Sequence, residues 1–165
     1  MDITVEPLSR YPEAIAEVAG WHFDEWGHTD PGGSLASWTA GMARQAGADE
    51  VPGTLIAVAG HTPVGVVCLV GRDMAGYPRA DGLTPWLKGL YVIPAARRQG
   101  IGAILVSRCQ AWAASLGHRS LYLYTERASG AESLYERLGW QRLESGHYEG
   151  IAVTVMRTSL AAAPA

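Results

Sequence analysis

The sequence predicts a mixed α/β domain, and three observations predict it. Short runs rich in β-branched and apolar residues alternate with longer stretches whose apolar residues recur at helical spacing. Near the middle, Leu90, Tyr91, Val92 and Ile93 read as a strand that Pro94 ends, because proline cannot donate to a sheet ladder. A basic turn with two glycines follows, and Ala103-Ile104-Leu105-Val106 then opens a helix. A further strand at residues 120–125 comes after that helix, and a right-handed crossover makes these two strands parallel.

Taken in order, residues 3–8 form a brief first strand that Pro7 terminates. Ser9 is suited to cap a helix whose first turn holds Pro12 and Glu13, and Ile15, Val18, Ala19 and His22 fall on one face of it. Trp21, Phe23 and Trp26 crowd its end, and the segment His28-Thr29-Asp30-Pro31-Gly32-Gly33 is a loop. Ser34 caps a second helix, with Leu35, Trp38 and Met42 on one side, that ends near Gly47. Residues 54–59 and 64–70 make a β-hairpin around Gly60-His61-Thr62-Pro63, where His61 reads as a turn residue. A polar loop at 71–85 leads to the central strand. The helix that follows carries Ile104, Leu105, Cys109, Trp112 and Leu116 and stops at Gly117. A shorter helix at 130–138 ends at Gly139, and two last strands, 141–146 and 151–157, meet through His147-Tyr148-Glu149-Gly150. The order is β-α-α-β-β-β-α-β-α-β-β. There is no internal repeat or linker, so residues 1–160 are expected to form a single domain and 161–165 a frayed tail.

Composition narrows the class. A chain of 165 residues suits one domain, and one of that size buries about two thirds of its unfolded surface. Hydrophobic residues make up 48% and charged residues 18%, which excludes a disordered chain. A net charge of −3 argues against a general nucleic-acid binder and is compatible with a cationic substrate. No stretch approaches the ~20 apolar residues of a membrane span, and Met1-Asp2-Ile3-Thr4 does not open a signal peptide. Cys68 and Cys109 stand alone in apolar runs, without the spacing of a metal site. They read as reduced core thiols in a cytoplasmic protein with no bound metal and no membrane partner.

The central turn carries the first chemical signal. A strand-to-helix turn aims backbone N–H groups and the positive end of a helix dipole at one spot. Gly100 and Gly102 let a ligand approach the backbone, and Arg97 and Arg98 add charge, so the turn is an anion site, most simply for a phosphate. It matches neither of the common nucleotide loops. The segment Arg97-Arg98-Gln99-Gly100-Ile101-Gly102 resembles the Arg/Gln-x-x-Gly-x-Gly/Ala pyrophosphate loop of the GNAT acetyltransferase superfamily. One helix and one strand later, Glu132-Ser133-Leu134-Tyr135-Glu136-Arg137-Leu138-Gly139-Trp140 looks like that family's Leu-Tyr-Glu-Lys-Leu-Gly-Phe segment. As an ordinary amphipathic helix, the same segment would place Leu134 and Leu138 toward the core, but that reading does not ask for a tyrosine.

The resemblance covers nearly the whole chain and implies a central, mostly antiparallel sheet whose fourth and fifth strands run parallel and splay apart, flanked by helices. It implies acetyl-CoA as the acyl donor and CoA as the product. Leu90, Tyr91 and Val92 would pair with the pantetheine arm, and Arg97, Arg98, Gln99, Gly100, Ile101, Gly102 and Ala103 would hold the pyrophosphate. A backbone N–H near Leu90 or Tyr91 would stabilise the oxyanion. Tyr135 would protonate the departing thiolate, directly or through water, within a ternary complex.

Two positions depart from the family pattern. Many relatives place a glutamate on the fourth strand as a base for the amine, whereas here Trp86, Leu87, Lys88 and Gly89 stand there. Candidates elsewhere are Glu126, His28 and Glu25. Ala128 also stands where many relatives carry an asparagine that contacts the cofactor. Glu25, Trp26, Asp81 and Trp86 are candidates for an acceptor pocket, because aromatics and acids together suit a cation. The expected activity is acetyl transfer to a primary amine of a small molecule or peptide. A protein N-terminal or lysine acetyltransferase competes within the family, a non-catalytic acyl-CoA sensor from another class, and a nucleotide-binding α/β domain comes third. The oligomeric state stays open, a homodimer included.

Overall fold

A computed structural model describes residues 2–162, so residues 163–165 of the expected frayed tail lie outside the described residues. Among the described residues, seven strands form one mixed sheet in the order β1-β2-β3-β4-β5-β7-β6, and four α-helices accompany it. By Cα proximity the chain divides into two units, Met1–Leu69 with Gly89–Cys109, and Val70–Lys88 with Gln110–Ala165. Strand β4 (Trp86–Val92) begins in the second and ends in the first, and helix α3 (Ile101–Ser115) does the reverse.

In the first unit, β1 (Ile3–Pro7), β2 (Gly53–Ala59) and β3 (Thr62–Val70) pair antiparallel. Thr54, Leu55, Ile56, Ala57 and Val58 are all buried, so β2 is covered on both faces, which is why it reads as a continuous apolar run rather than an alternating one. The β2–β3 turn is shorter than the sequence suggests, Gly60 and His61 alone, because the ladder recruits Thr62 and Pro63. His61 is an exposed turn residue, as its context indicates.

Ser9 does not cap a helix. Residues Leu8–Arg10 and Pro12–Ala14 form two separate 3-10 turns, because Tyr11 between them sits at φ −129°, ψ 61° and interrupts any helix. Helix α1 (Ile15–Trp26) starts after them and buries Val18, Ala19 and His22. Ser34 does cap α2 (Leu35–Arg44), through a reciprocal pair of hydrogen bonds with Ser37 that satisfies orphan N–H groups of the first turn. This helix ends at Arg44, a turn before Gly47, and Leu35 is exposed.

In the second unit, β5 (Ser120–Glu126), β7 (Ile151–Ser159) and β6 (Gln141–Tyr148) form an antiparallel ladder. Trp86 of β4 pairs in parallel with Tyr122 of β5. The β6–β7 connection is Glu149 and Gly150 only, both at positive φ, as a tight two-residue hairpin requires. Helix α4 (Gly130–Arg137) is capped by the Ser129 hydroxyl. Its buried side chains are Glu132 and Tyr135, whereas Leu134 and Leu138 are half-buried, the reverse of what an amphipathic reading expects. A core of Met74, Ala80, Trp86, Val153 and Val155 underlies this ladder.

Candidate active site

The turn before α3 has the geometry of an anion cradle. Pro94–Ala96 make one 3-10 turn, and the chain then extends at Arg97 and turns left-handed at Arg98 (φ +65°) and Gly100 (φ +80°). The Ile104 amide donates to the Gly100 carbonyl at 3.1 Å, so Gly100 occupies the cap position and α3 begins at Ile101, two residues earlier than the sequence suggests. The amides of Ile101, Gly102 and Ala103 therefore fall in the first turn, where no helical carbonyl precedes them. A Cβ placed on Gly100 would meet nothing within 4 Å, so the backbone there is open to an approaching group. Arg98, Gln99 and Gly100 are exposed, and buried Ile101 anchors the helix start. First-turn backbone amides, a left-handed glycine and nearby arginines give this turn the chemistry of an anion site.

Arg97 is held rather than free. Its Nε donates to the Val92 carbonyl at 2.9 Å and its guanidinium lies 5.4 Å from the centre of the Tyr91 ring. Tyr91 in turn stacks on Trp21 at 5.9 Å and meets Trp26 edge-on at 6.5 Å. The last residues of β4 are thus joined to the turn before α3 at one side and to the aromatic end of α1 at the other. Trp26 is half-buried, and its neighbour Glu25 is exposed. His28 lies exposed in the 3-10 turn Gly27–Thr29 that follows α1. Beyond it, Asp30 accepts the Trp38 indole N–H at 3.0 Å.

In the second unit Tyr135 is 5% exposed, with its ring centre 5.8 Å from that of Trp140. Its carbonyl accepts the amides of Leu138 and Trp140, which closes α4 and turns the chain into β6. Glu126 ends β5 and is exposed. Asp81 is exposed at the end of the 3-10 turn Pro78–Ala80. Trp86 differs from the expectation: it is 0% exposed, and its indole N–H donates to the Leu83 carbonyl at 2.7 Å. A tryptophan filled in on every side and satisfied internally is core, with no surface to offer an acceptor.

Three features went unread in the sequence. Glu132 is 2% exposed, and its Oε2 accepts the Ala128 amide at 2.8 Å and the Thr154 hydroxyl at 3.1 Å. Its Oε1 pairs with Arg142 at 2.8 Å. Buried charge is tolerated only when so paired. Ala128 sits at φ +60°, a left-handed conformation that asparagine adopts more readily than alanine, and the bond from its amide to Glu132 helps hold the chain there. Next, Asp73 holds Lys88 of β4 at 3.0 Å, so a carboxylate does stand beside the fourth strand, brought there from the preceding loop. Finally, His22 places Nε2 2.8 Å from the Gly89 carbonyl. The β-strand spacing of residues 86–92 gave no signal for the last two, since each needs a partner from another element.

The sequence matches the acetyltransferase (GNAT) family over residues 13–140. No curated protein matches the sequence. Solved structures agree on the fold. An acetyltransferase of the GNAT family from Streptococcus pneumoniae is 20% identical with a TM-score of 0.70, over 97% of this chain and 100% of that one. An aminoglycoside 6'-N-acetyltransferase complexed with coenzyme A is 16% identical with a TM-score of 0.74, over the whole of both chains. Arabidopsis thaliana NAA60 in complex with a bisubstrate analogue is 14% identical with a TM-score of 0.71, over 98% of this chain and 100% of that one. The strand-turn-helix cradle and the mixed sheet with its parallel β4–β5 pair are those of an acyl-CoA-dependent N-acyltransferase. The chain belongs to the GNAT acetyltransferase family. It is an N-acetyltransferase that uses acetyl-CoA.

Proposed function

We propose that the protein, as a single acetyltransferase domain over residues 1–160, moves the acetyl group of acetyl-CoA to a primary amine of a small molecule or peptide by direct transfer in a ternary complex. The observation that carries this reading is the 97–103 turn, whose open left-handed Gly100 and first-turn amides suit a pyrophosphate. Leu90, Tyr91 and Val92 pair with the pantetheine arm, and an N–H of Leu90 or Tyr91 meets the thioester oxygen. Tyr135 returns a proton to the leaving thiolate. A phenol, with an ordinary pKa of about 10, is a suitable donor to that group. Neither cysteine serves as a nucleophile, since both are buried. Such thiols also fit a reducing, cytoplasmic compartment.

The acceptor meets the half-buried Trp26 and the exposed carboxylate of Glu25, a pairing that favours a cation, with Asp81 a further carboxylate for it. The base is one of Glu126, His28 and Glu25, each of which is exposed. Two relatives in fold point to acceptors of different size, an aminoglycoside enzyme and a NatC complex bound to Gag peptide. The second favours a protein N-terminal or lysine acetyltransferase as the alternative.

The test is free-thiol release from acetyl-CoA across a panel of amines, aminoglycosides and short peptides, with CoA binding measured by calorimetry alongside. Turnover on small amines supports the main reading, and turnover confined to peptides supports the alternative. Binding without turnover on any acceptor would point to an acyl-CoA sensor.

A further inference from the structure

We infer that His22 is a positioning residue that sets the direction of the Leu90 amide, and that this amide, rather than that of Tyr91, is the oxyanion donor. The inference rests on the proposed acyl transfer and adds to it a residue from α1. His22 is 7% exposed and its Nε2 lies 2.8 Å from the Gly89 carbonyl oxygen. A carbonyl can only accept, so Nε2 carries the proton and donates. Gly89 sits at φ +66°, which departs from strand geometry inside β4. Just beyond β4, the Ile93 amide donates to the Val64 carbonyl of β3 at 3.0 Å.

Two consequences follow from covalent geometry. The Gly89 carbonyl and the Leu90 N–H belong to one planar trans peptide and point in opposite directions. Anchoring the oxygen on His22 therefore anchors the hydrogen as well. A hydrogen bond accepted by the carbonyl also polarises that peptide and makes its N–H the stronger donor. The imidazole is itself fixed. It meets the Trp26 ring edge-on at 5.2 Å, and Trp26 meets Tyr91. A Cβ on residue 89 would lie 2.7 Å from His22 Cε1, so the close approach of ring to strand exists only because residue 89 is glycine. The histidine on α1 and the glycine on β4 are 67 residues apart and match as a pair.

The experiment compares wild type with His22→Leu, which removes the donor, and His22→Gln, which keeps an N–H within reach. Three readouts are taken: CoA affinity by calorimetry, thiol release from acetyl-CoA with water as acceptor, and the infrared carbonyl stretch of bound acetyl-CoA labelled with carbon-13 at the thioester carbon. For His22→Leu the expected result is unchanged CoA affinity, thiol release slowed about tenfold to a hundredfold, and a carbonyl stretch moved back toward its value in solution. His22→Gln recovers most of the rate and of the shift. Gly89→Ala, which pushes on the ring, behaves as His22→Leu does. A wild-type rate and stretch in a folded His22→Leu that still binds CoA would overturn this inference alone. Failure of the wild-type protein to bind CoA would instead remove the proposed function, and this inference with it.

Discussion

At the scale of single residues, Tyr135 and Cys109 illustrate two different uses of burial. Tyr135 is 5% exposed on a helix that otherwise buries only Glu132, and the proposed function makes its phenol the proton donor to the leaving thiolate. Tyr135→Phe is expected to lower turnover about a hundredfold with CoA affinity unchanged. Equal losses in both, measured by thiol release and calorimetry, would show that the ring serves packing. Cys109 bears on stability instead. Burial pushes its thiol well above the ordinary range, and neighbouring Cys68 acts in the same direction. The folded protein thus keeps a proton that the unfolded chain gives up near pH 8.5, the ordinary value of about 8.5 for a free thiol. Stability from this group is full below that pH and falls above it, by up to about 1.4 kcal/mol per pH unit. Urea unfolding at pH 8, 9 and 10 should show that slope in wild type and a shallower one in Cys109→Ala.

The same scale shows where residue-level reading fails. Cys109 was legible as a core thiol, because an apolar run without spaced ligands leaves little else for it to be. Trp86 was not legible as core, since nothing in the strand shows that the Leu83 carbonyl, brought in by the preceding loop, accepts its indole N–H. Glu132 was hidden for the same reason in reverse. A glutamate in the first turn of a helix ordinarily faces water, and the Ala128 amide together with Thr154 and Arg142, from the strands that follow, offsets the cost of burying it.

At the scale of elements, the helix starts divide instructively. Ser34 caps α2 as its type predicts, because capping is a local matter of one side chain and the amides three residues on. Ser9 has the same credentials and caps nothing, because Tyr11 breaks the chain between two 3-10 turns. The α3 start, with its left-handed Gly100, carries donor binding in the proposed function. Gly100→Leu would force a side chain into the open space beside the turn and into a backbone conformation that L-residues resist, at a strain of about 1–2 kcal/mol. The expected outcome is loss of detectable CoA binding by calorimetry with a circular dichroism spectrum like that of wild type. Retained tight binding would show that the phosphates lie elsewhere.

At the scale of the whole molecule, a ligand that binds only the folded state must raise the unfolding temperature. CoA at a hundred times its dissociation constant should add about 2.7 kcal/mol. ATP and NAD at equal concentration, which share the phosphates but not the pantetheine arm, should add little. A rise with all three would mean that the turn reads phosphate alone and would favour a nucleotide binder.

What the sequence by itself determined is whatever depends on a few neighbouring residues: the order of strands and helices, the proline that ends β4, the glycine turn before α3, the Ser34 cap and the stop at Gly117. Backbone sterics and local hydrogen bonds decide these, and both are readable within one turn of chain. The tertiary structure decided which side chains lost water and to what partner. His22 on Gly89, Asp73 on Lys88 and Glu132 among Ala128, Thr154 and Arg142 are choices of that kind. The free energy of burying a polar group depends on whether a distant segment supplies its hydrogen bond, and no local pattern carries that information.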